Sequence, residues 1–244
     1  MVMYQGLCVL SHPGFSIIDA AALAPGLVTR EQWLEWAHTG VWPMAEGMQT
    51  PHLPMMVARR MSQGARLAVE LALSMMEQHP VDGAVFASRH GELDRSITLL
   101  QALAAQRALS PTDFSQSVHN TSAGLASIQG QHSIPMSSLA AGEGSFAAAL
   151  HEAIGMLADG LQKVLVVAFE GRIPTFSQPW LADEMPPRAV ALVLAKGGEW
   201  QGCRATTSVP REMDGALSCW RAQLMGLSHF SVFDGRQGWL WQRN

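Results

Sequence analysis

Hydrophobic residues along this chain fall into two kinds of pattern: short continuous runs, and stripes in which every third or fourth residue is apolar. The continuous runs are Val81–Ser88, Val164–Phe169 and Ala189–Ala195. Their length and β-branched content are typical of strands buried on both faces. A stripe predicts a helix that packs on the core through Met61, Ala65, Ala68, Ala72 and Met76. Such strands alternating with helices indicate an α/β fold.

Two further predicted helices are unusually rich in small residues. One runs over Asn120–Gln129 with Gly130 as its C-terminal stop, and the other over Gly144–Leu157. Helices with so many Ala, Gly and Ser residues can approach their neighbours closely, so we expect both to be buried at the centre of the fold. A short helical turn is also predicted after Ser110, an N-cap candidate followed by proline.

Tryptophans are concentrated in two places. The first group, Trp33, Trp36 and Trp42, lies among Pro and Gly residues and must be covered by the domain itself or by another chain. We favour the domain itself. For the second group, around Trp239-Leu240-Trp241, both core and contact positions stay open. No repeat or linker interrupts the chain, so residues 1–244 are predicted to form a single domain.

Composition limits the classes of function. Only 15% of residues are charged while 48% are hydrophobic, which hints at a buried partner interface. The net charge of −4 and the lack of a Lys/Arg cluster argue against nucleic-acid and membrane-surface binding. Neither a phosphate-binding glycine motif nor a histidine pair with metal-ligand spacing occurs, so no cofactor and no metal are expected.

The expected compartment is the cytoplasm. The N-terminus lacks the pattern of a signal peptide, and no apolar stretch is long enough to span a membrane. The three cysteines, Cys8, Cys203 and Cys219, are widely spaced and include no CxxC motif. We therefore expect free thiols in a reducing environment.

Two residues at the start of the predicted helix Gly144–Leu157 are candidates for chemistry. Ser145 would be a nucleophile if a base activated it, although it does not match GxSxG and more simply caps the helix. Glu143 stands between two glycines, where the partial positive charge of a helix N-terminus favours a carboxylate. Seen alone, Glu143 is a capping residue.

The order of motifs from Ser110 to Ala153 resembles the core of the β-ketoacyl synthases, which have the thiolase-like fold. In that family an S-P-x-x-F segment leads to an Asn that heads a small-residue helix, then to a strand, then to T-A-C-x-S-G. Here Ser110-Pro111-Thr112-Asp113-Phe114 leads to Asn120, then to Ile134–Leu139, then to Ala141-Gly142-Glu143-Gly144-Ser145. The resemblance is good over Met61–Ala195 and loose before it, and none is visible beyond Lys196.

Two more segments extend the resemblance. Ala87–Leu93 is similar to the family's G-S-G-x-G-G-L stretch, in which the fourth residue gates the acyl pocket. Arg89 and His90 put bulk and polarity into that gate, and His90 occupies the gating position. Ala189–Leu194 resembles the strand G-A-x-A-x-V-L that closes the family's N-terminal half.

The resemblance places Glu143 at the position of the catalytic cysteine, and a carboxylate cannot form the acyl thioester that the family's chemistry needs. It also implies a second half with two histidines and a lysine, for which 244 residues leave no room. Loss of the nucleophile marks the chain length factors of type II polyketide synthases, in which Gln is typical, so Glu143 departs from that pattern too. Shortened chains of this kind resemble the ketosynthase-like partner in bacterial aryl polyene synthases.

The family resemblance also implies a heterodimer. A strand over Ser133–Leu139 is expected to pair edge to edge with the matching strand of an active ketosynthase, through Ser133, Ile134, Met136, Ser137, Ser138 and Leu139. The partner would perform the condensation on an acyl carrier protein. Residues near the shared interface would line or block the end of its acyl tunnel: Asp113, Phe114, His119 and Asn120.

Two alternatives stay open. The chain could be an independent acyl-thioester hydrolase or transferase that uses Ser145 or Glu143 with a histidine. It could also be a binding module that recruits the carrier protein without touching the acyl chain.

Overall fold

The computed structural model describes residues 8–11, 13–45, 47–180, 185–205 and 213–244. The strands in these ranges are β1 (Cys8–Ser11), β2 (Phe15–Leu23), β3 (Gly83–Ala87), β4 (Met136–Leu139), β5 (Lys163–Glu170), β6 (Arg188–Lys196), β7 (Trp200–Ala205), β8 (His229–Phe233) and β9 (Gly238–Arg243). The helices are α1 (Arg30–Thr39), α2 (Met55–Ala58), α3 (Gln63–Gln78), α4 (Leu93–Ala104), α5 (Pro111–Ser115), α6 (Thr121–Gly130), α7 (Ser145–Ala158) and α8 (Gly215–Met225). Two 3-10 turns cover Gly142–Gly144 and Thr175–Trp180.

The described strands form one mixed sheet in the order β4-β3-β5-β6-β2-β7-β9-β8, and β1 pairs with β7. Strands β4, β3 and β5 run parallel, whereas the remaining pairs are antiparallel. This arrangement confirms the predicted α/β class. It also confirms that the predicted apolar runs form strands, namely β3, β5 and β6. These three strands follow the edge strand β4 in the order of the sheet.

Each central strand contributes side chains to two hydrophobic cores, because successive side chains point to opposite faces of the sheet. Along β5, Val164 and Val166 pack under α7, whereas Leu165 and Val167 pack under α3. A strand buried on both faces has no position for a polar residue, which explains the continuous apolar runs in the sequence.

The predicted helices form close to their expected limits. Helix α3 begins after Ser62, whose hydroxyl accepts the Ala65 N–H, and α5 begins after Ser110, whose hydroxyl accepts the Asp113 N–H. The end of α6 differs from the prediction: Gly130 lies inside the helix, and Gln131 adopts the left-handed cap conformation with φ 53°. The helix therefore ends in a left-handed cap in which the residue with positive φ is Gln131 and not a glycine.

The tryptophans belong to the core. Trp33 and Trp36 are buried and cross edge to face with ring centroids 5.2 Å apart, which confirms the preference for cover by the domain itself. Trp239 and Trp241, on β9, are also buried. Trp241 packs 5.0 Å from Phe15. The C-terminal segment thus extends the sheet and, with α8, covers α7.

The cysteines depart from the expectation of three free thiols. Cys219, on α8, is free and buried, and burial raises the pKa of its thiol well above the usual range. Cys203, on β7, is disulfide-bonded, so that prediction is wrong for Cys203. The cysteine pattern therefore no longer supports a reducing compartment. None of the described helices is long and apolar enough to cross a membrane.

Candidate functional site

Glu143 lies in the 3-10 turn directly before α7. Its side chain is 44% exposed, and its Oε1 lies 4.0 Å from Nη1 of Arg89, which is 35% exposed. Strand β4 ends at Leu139, so only a short segment separates this edge strand from the turn and the head of the helix. Glu143 is a charge-balanced carboxylate at the mouth of a cavity.

The side chain of Ser145 is hydrogen-bonded to the backbone of the same turn. Its hydroxyl donates to the Gly142 carbonyl at 2.7 Å and accepts the Ala141 N–H at 3.1 Å. The side chain is buried, and its proton points to a carbonyl oxygen instead of to a base. This geometry holds the turn closed and does not favour Ser145 as a nucleophile.

Gly144 is required at the head of α7 by a close approach of backbone. A Cβ atom at this position would lie 2.3 Å from the carbonyl oxygen of Asp234, which sits in the turn between β8 and β9. The C-terminal hairpin therefore packs directly against the turn that carries Glu143.

A second turn, Ser88–Gly91, forms another wall of the cavity and is held by Glu170 at the end of β5. The Glu170 carboxylate accepts the backbone N–H groups of Arg89 and His90, and the Ser88 hydroxyl at 3.2 Å. Burial raises the pKa of Glu170 to about 7, although these hydrogen bonds and the nearby Arg188 partly oppose the effect.

An ion pair between Arg188 and Asp214 lies on the far side of the cavity, with 2.7 Å between Nη2 and Oδ2. Asp214 also caps α8 by accepting the N–H groups of Ala216 and Leu217. Burial opposes ionisation of Asp214, but Arg188 and the cap hydrogen bonds outweigh it, so the pKa of Asp214 is lowered.

These elements enclose a cavity of about 190 Å³. Its wall is mixed. Charged and polar groups come from Arg89, His90, Glu143, Glu170, Arg188 and Asp214, and apolar surface comes from Phe146, Ile173, Met185, Val190, Met213 and Phe233. No cysteine is among the described residues that line it.

Strand β4 is an edge strand that pairs with β3 in register Ala84↔Met136 to Ala87↔Leu139. The Ala84 N–H donates to the carbonyl of Pro135 and the Ser88 N–H to that of Leu139. Because backbone groups of alternate residues point to opposite sides of a strand, those of Met136 and Ser138 point away from β3. No described strand pairs with that side.

Helix α6 packs against β4, and the segment from α4 to α6 carries exposed apolar side chains. No residue of α4 or α5 is buried. The exposed apolar residues from α4 to α6 are Leu100, Leu103, Leu109, Phe114, Val118 and Ile128. Exposed leucine, phenylalanine and isoleucine at this density are typical of a surface that binds another chain.

The four candidate tunnel residues divide into two pairs. Phe114 is 67% exposed, and Asn120 is exposed at the head of α6. Asp113 instead binds the Arg95 guanidinium. His119 packs on Gly91, and its Nε2 lies 2.8 Å from the carbonyl oxygen of Leu139. Phe114 and Asn120 are thus available to another chain, whereas Asp113 and His119 serve internal contacts.

The predicted interface strand is shorter than expected, because β4 begins at Met136 and leaves Ser133 and Ile134 in the preceding loop. The structure brings Arg89, His90 and Glu143 to one cavity. Sequence reasoning missed Glu170, Arg188 and Asp214. A signal was present: Glu170 and Arg188 are the charged ends of two apolar strands, and Asp214 precedes a helix as an N-cap.

Comparisons with known proteins agree with this architecture. Residues 33–242 match the family model described as β-ketoacyl synthase, N-terminal domain. Among solved structures, the complex of the ketosynthase ApeO with its chain length factor ApeC from Xenorhabdus doucetiae contains a chain that is 38% identical, with a TM-score of 0.89. The alignment covers 95% of this chain and 100% of that one. A search of curated proteins found no match.

Two more distant structures show the same fold. The ishigamide ketosynthase/chain length factor has 16% identity and a TM-score of 0.60, over 77% of this chain and 65% of that chain. A type II polyketide synthase acyl-carrier protein in complex with its ketosynthase has 13% identity and a TM-score of 0.58, over 75% of this chain and 62% of that chain.

Proposed function

The chain belongs to the β-ketoacyl synthase family, and from that membership we propose that it is a chain length factor-like subunit, which condenses nothing itself and pairs with an active ketosynthase. The proposal rests on Glu143, a carboxylate in the turn at the head of α7, which the motif resemblance aligns with the family's cysteine. A carboxylate there cannot accept an acyl group as a thioester.

The relative from Xenorhabdus doucetiae supports a role in such a pair. It is a complex of a ketosynthase with its chain length factor, and this chain covers the matched chain from end to end at 38% identity. The reaction that we assign to the complex is elongation of an acyl chain carried by an acyl carrier protein. The partner supplies the nucleophile and the catalytic histidines.

The open edge of β4 supports the proposed mode of pairing. Met136 and Ser138 present backbone donors and acceptors to that side, and a second strand would satisfy them. The exposed apolar residues of α4 to α6 would be covered by the same partner. Phe114 and Asn120 would then face the partner's acyl tunnel, where a bulky side chain limits product length.

The first test is co-expression with a ketosynthase encoded by a neighbouring gene, followed by sizing with light scattering. We expect a stable 1:1 complex, and condensation activity from the complex but not from this chain alone. Failure to associate, or turnover of an acyl thioester by this chain alone, would contradict the proposal.

A proline tests the edge strand itself. Ser138→Pro removes an N–H that points to the open side while it leaves the hydrogen bonds to β3 intact. We expect a folded chain that no longer binds the ketosynthase. Unchanged affinity in a folded Ser138→Pro protein would show that β4 is not the pairing strand.

A second pair of variants tests the apolar surface without altering the sheet. Ile128, on α6, is 68% exposed, and Met55, on α2, is 67% exposed. Ile128→Glu should weaken the complex at least tenfold, because it would bury a charge at the interface. Met55→Glu, the matched control, should leave affinity unchanged. Equal effects from both would exclude a specific interface at α6.

A further inference from the structure

Helix α5, which carries Phe114, lies on the surface and has no buried residue. A helix of five residues that buries so little gains little from the hydrophobic effect, so polar contacts weigh more in fixing its position. Among the described residues, the hydrogen bonds of α5 stay within residues 110–117, except for one that Asp113 makes to Arg95.

Arg95, on α4, makes three polar contacts in different directions. Its Nη1 donates to Oδ1 of Asp113, and its Nη2 donates to the carbonyl of Arg60 at 2.7 Å. Its Nε lies 3.6 Å from Oε2 of Glu92. The Arg95 side chain is only 13% exposed. One guanidinium group therefore joins α5 both to α4 and to the segment that precedes α3.

The Glu92 carboxylate connects Arg95 to the core. Its Oε1 accepts the Ser62 hydroxyl at 3.0 Å, and the same hydroxyl caps α3 by accepting the Ala65 N–H. Helix α3 is buried along most of its length and packs against β5 and β6. A continuous series of contacts thus runs from the buried helix through Ser62, Glu92 and Arg95 to α5.

We propose that Arg95 is a positioning residue that fixes α5 through Asp113 and so holds Phe114 in place at the surface that binds the ketosynthase. The inference rests on the proposed function, which gives Phe114 its role at the end of the partner's acyl tunnel. If the contact between Arg95 and Asp113 is cut, α5 moves relative to the domain, and Phe114 closes the tunnel for only part of the time.

The geometry gives this ion pair more weight than one between two free surface side chains. An exposed pair contributes little, because two flexible side chains must be ordered to form it. Arg95 is already held by the Arg60 carbonyl and by Glu92, and Asp113 has a short side chain within a helical turn. Little further conformational entropy is lost when the two meet. The planar fork of arginine also serves three acceptors at once, which an ammonium group does less well.

The contact is best cut at Asp113. Arg95→Met would leave the Glu92 carboxylate buried without its arginine and would destabilise the start of α3. The Asp113 side chain is 40% exposed, so Asp113→Ala removes the outer contact and leaves the inner ones. Asp113→Asn keeps an oxygen that accepts from Arg95. Both variants remove the negative charge at the start of α5, so the difference between them measures the contact itself.

A matched control is available beside β7. Glu199 is 32% exposed and lies 3.2 Å from Nε of Arg243, so it is another partly exposed carboxylate paired with an arginine. Glu199→Ala should have no effect on α5 or on the acyl products.

The first measurement is amide hydrogen exchange in the full chain alone. The N–H groups of Phe114 and Gln116 donate to carbonyls within residues 110–112 and monitor α5, and that of Val166, in the middle of β5, monitors overall stability. In Asp113→Ala, exchange at Phe114 and Gln116 should be at least about fivefold faster after correction for intrinsic rates and for any change at Val166. In Asp113→Asn it should stay within about twofold of wild type.

The second measurement is the length of the acyl products made by the complex, read by mass spectrometry. Asp113→Ala should shift the products to longer chains, as Phe114→Ala does, whereas Asp113→Asn should leave them unchanged. The double variant should shift them no further than Phe114→Ala alone, because Arg95 and Asp113 act through Phe114. A purely structural role would not give this non-additivity.

The outcomes separate this inference from the proposed function. Wild-type exchange at α5 in Asp113→Ala would overturn the inference. So would products that Phe114→Ala lengthens and Asp113→Ala does not, or additive shifts in the double variant, and the proposed function would still stand. Unchanged products in Phe114→Ala would instead remove the length-setting role from the proposed function, and the exchange rates would then decide whether Arg95 fixes α5.

Discussion

The guanidinium of Arg89 lies 4.0 Å from the carboxylate of Glu143, and the pair joins the turn after β3 to the head of α7. By the family resemblance, Arg89 belongs to the gate of an acyl pocket and Glu143 occupies the position of the nucleophile. Both side chains are partly exposed, so each charge is balanced across the mouth of the cavity without being deeply buried. This contact gives Glu143 an electrostatic partner and requires no chemical step from it.

We predict that Glu143 can be changed without loss of activity in the complex. Glu143→Gln should alter the free energy of unfolding by less than about 1 kcal/mol, because a partly exposed ion pair contributes little. The condensation rate of the complex should stay within about twofold of wild type. Replacement of the partner's nucleophilic cysteine by alanine, the control, should abolish it. A tenfold loss in Glu143→Gln would show that the carboxylate takes part in the reaction.

The two glycines of the α7 region should respond in opposite directions to alanine. Gly144→Ala would place a Cβ 2.3 Å from the Asp234 carbonyl, and we expect a loss of about 1–3 kcal/mol from this overlap. Gly155, inside the same helix, has open space around its Cα. Gly155→Ala should gain about 0.5–1 kcal/mol from helix propensity. Urea unfolding measures both, and a neutral Gly144→Ala would contradict the close packing of the hairpin turn on the helix.

Asp214 should stabilise the fold in a pH-dependent way. Its pKa is lowered in the folded state, so its contribution is complete above the usual pKa of 3.8 and is lost as the pH falls through the lower folded value. At pH 7 we expect Asp214→Asn, which keeps the helix cap but loses the charge opposite Arg188, to cost about 2–3 kcal/mol.

Asp214→Ala removes the cap as well and should cost about 1 kcal/mol more than Asp214→Asn. Both costs are measured by urea unfolding at pH 7, and that of Asp214→Asn should shrink as the pH falls below 3.8. A cost for Asp214→Asn that stays the same at low pH would show that the ion pair is not its source.

Product length should depend on Phe114. This side chain is 67% exposed beside the proposed interface, and Phe114→Ala should lengthen the acyl products of the complex by opening the end of the tunnel. Asp113→Asn should instead mainly affect stability, because Asp113 binds Arg95 within the chain. Mass spectrometry of the released products distinguishes the two. If Phe114→Ala and Asn120→Ala both leave the products unchanged, the length-setting part of the proposal fails.

Local sequence was sufficient for much of this fold. Continuous runs such as Val164–Phe169 predict buried strands because both faces of β5 are covered, and Ser62 and Ser110 mark helix starts by their capping chemistry. The order of the sheet was not accessible in the same way. It depends on contacts between distant segments, such as β2 with β6 and β7 with β9.

The candidate site was only partly predictable for the same reason. Glu143, Arg89 and His90 stand in motifs with recognisable spacing. Glu170 gains its role from a turn about 80 residues earlier, and Asp214 from an arginine on β6, 26 residues earlier. Glu170 carries no local pattern beyond a charge at the end of an apolar strand, and Asp214 carries none beyond that of a helix N-cap. Cys203 also could not be placed from spacing, since its bonded state depends on how the strands align.

Intact-mass spectrometry of the co-purified complex, loaded with an acylated carrier protein, tests the central claim most directly. We predict that the mass of the ketosynthase partner increases by one acyl group while the mass of this chain is unchanged, both in the complex and alone. A covalent acyl adduct on this chain would contradict the account, because it would mean that a subunit with Glu143 in place of the cysteine still carries substrate.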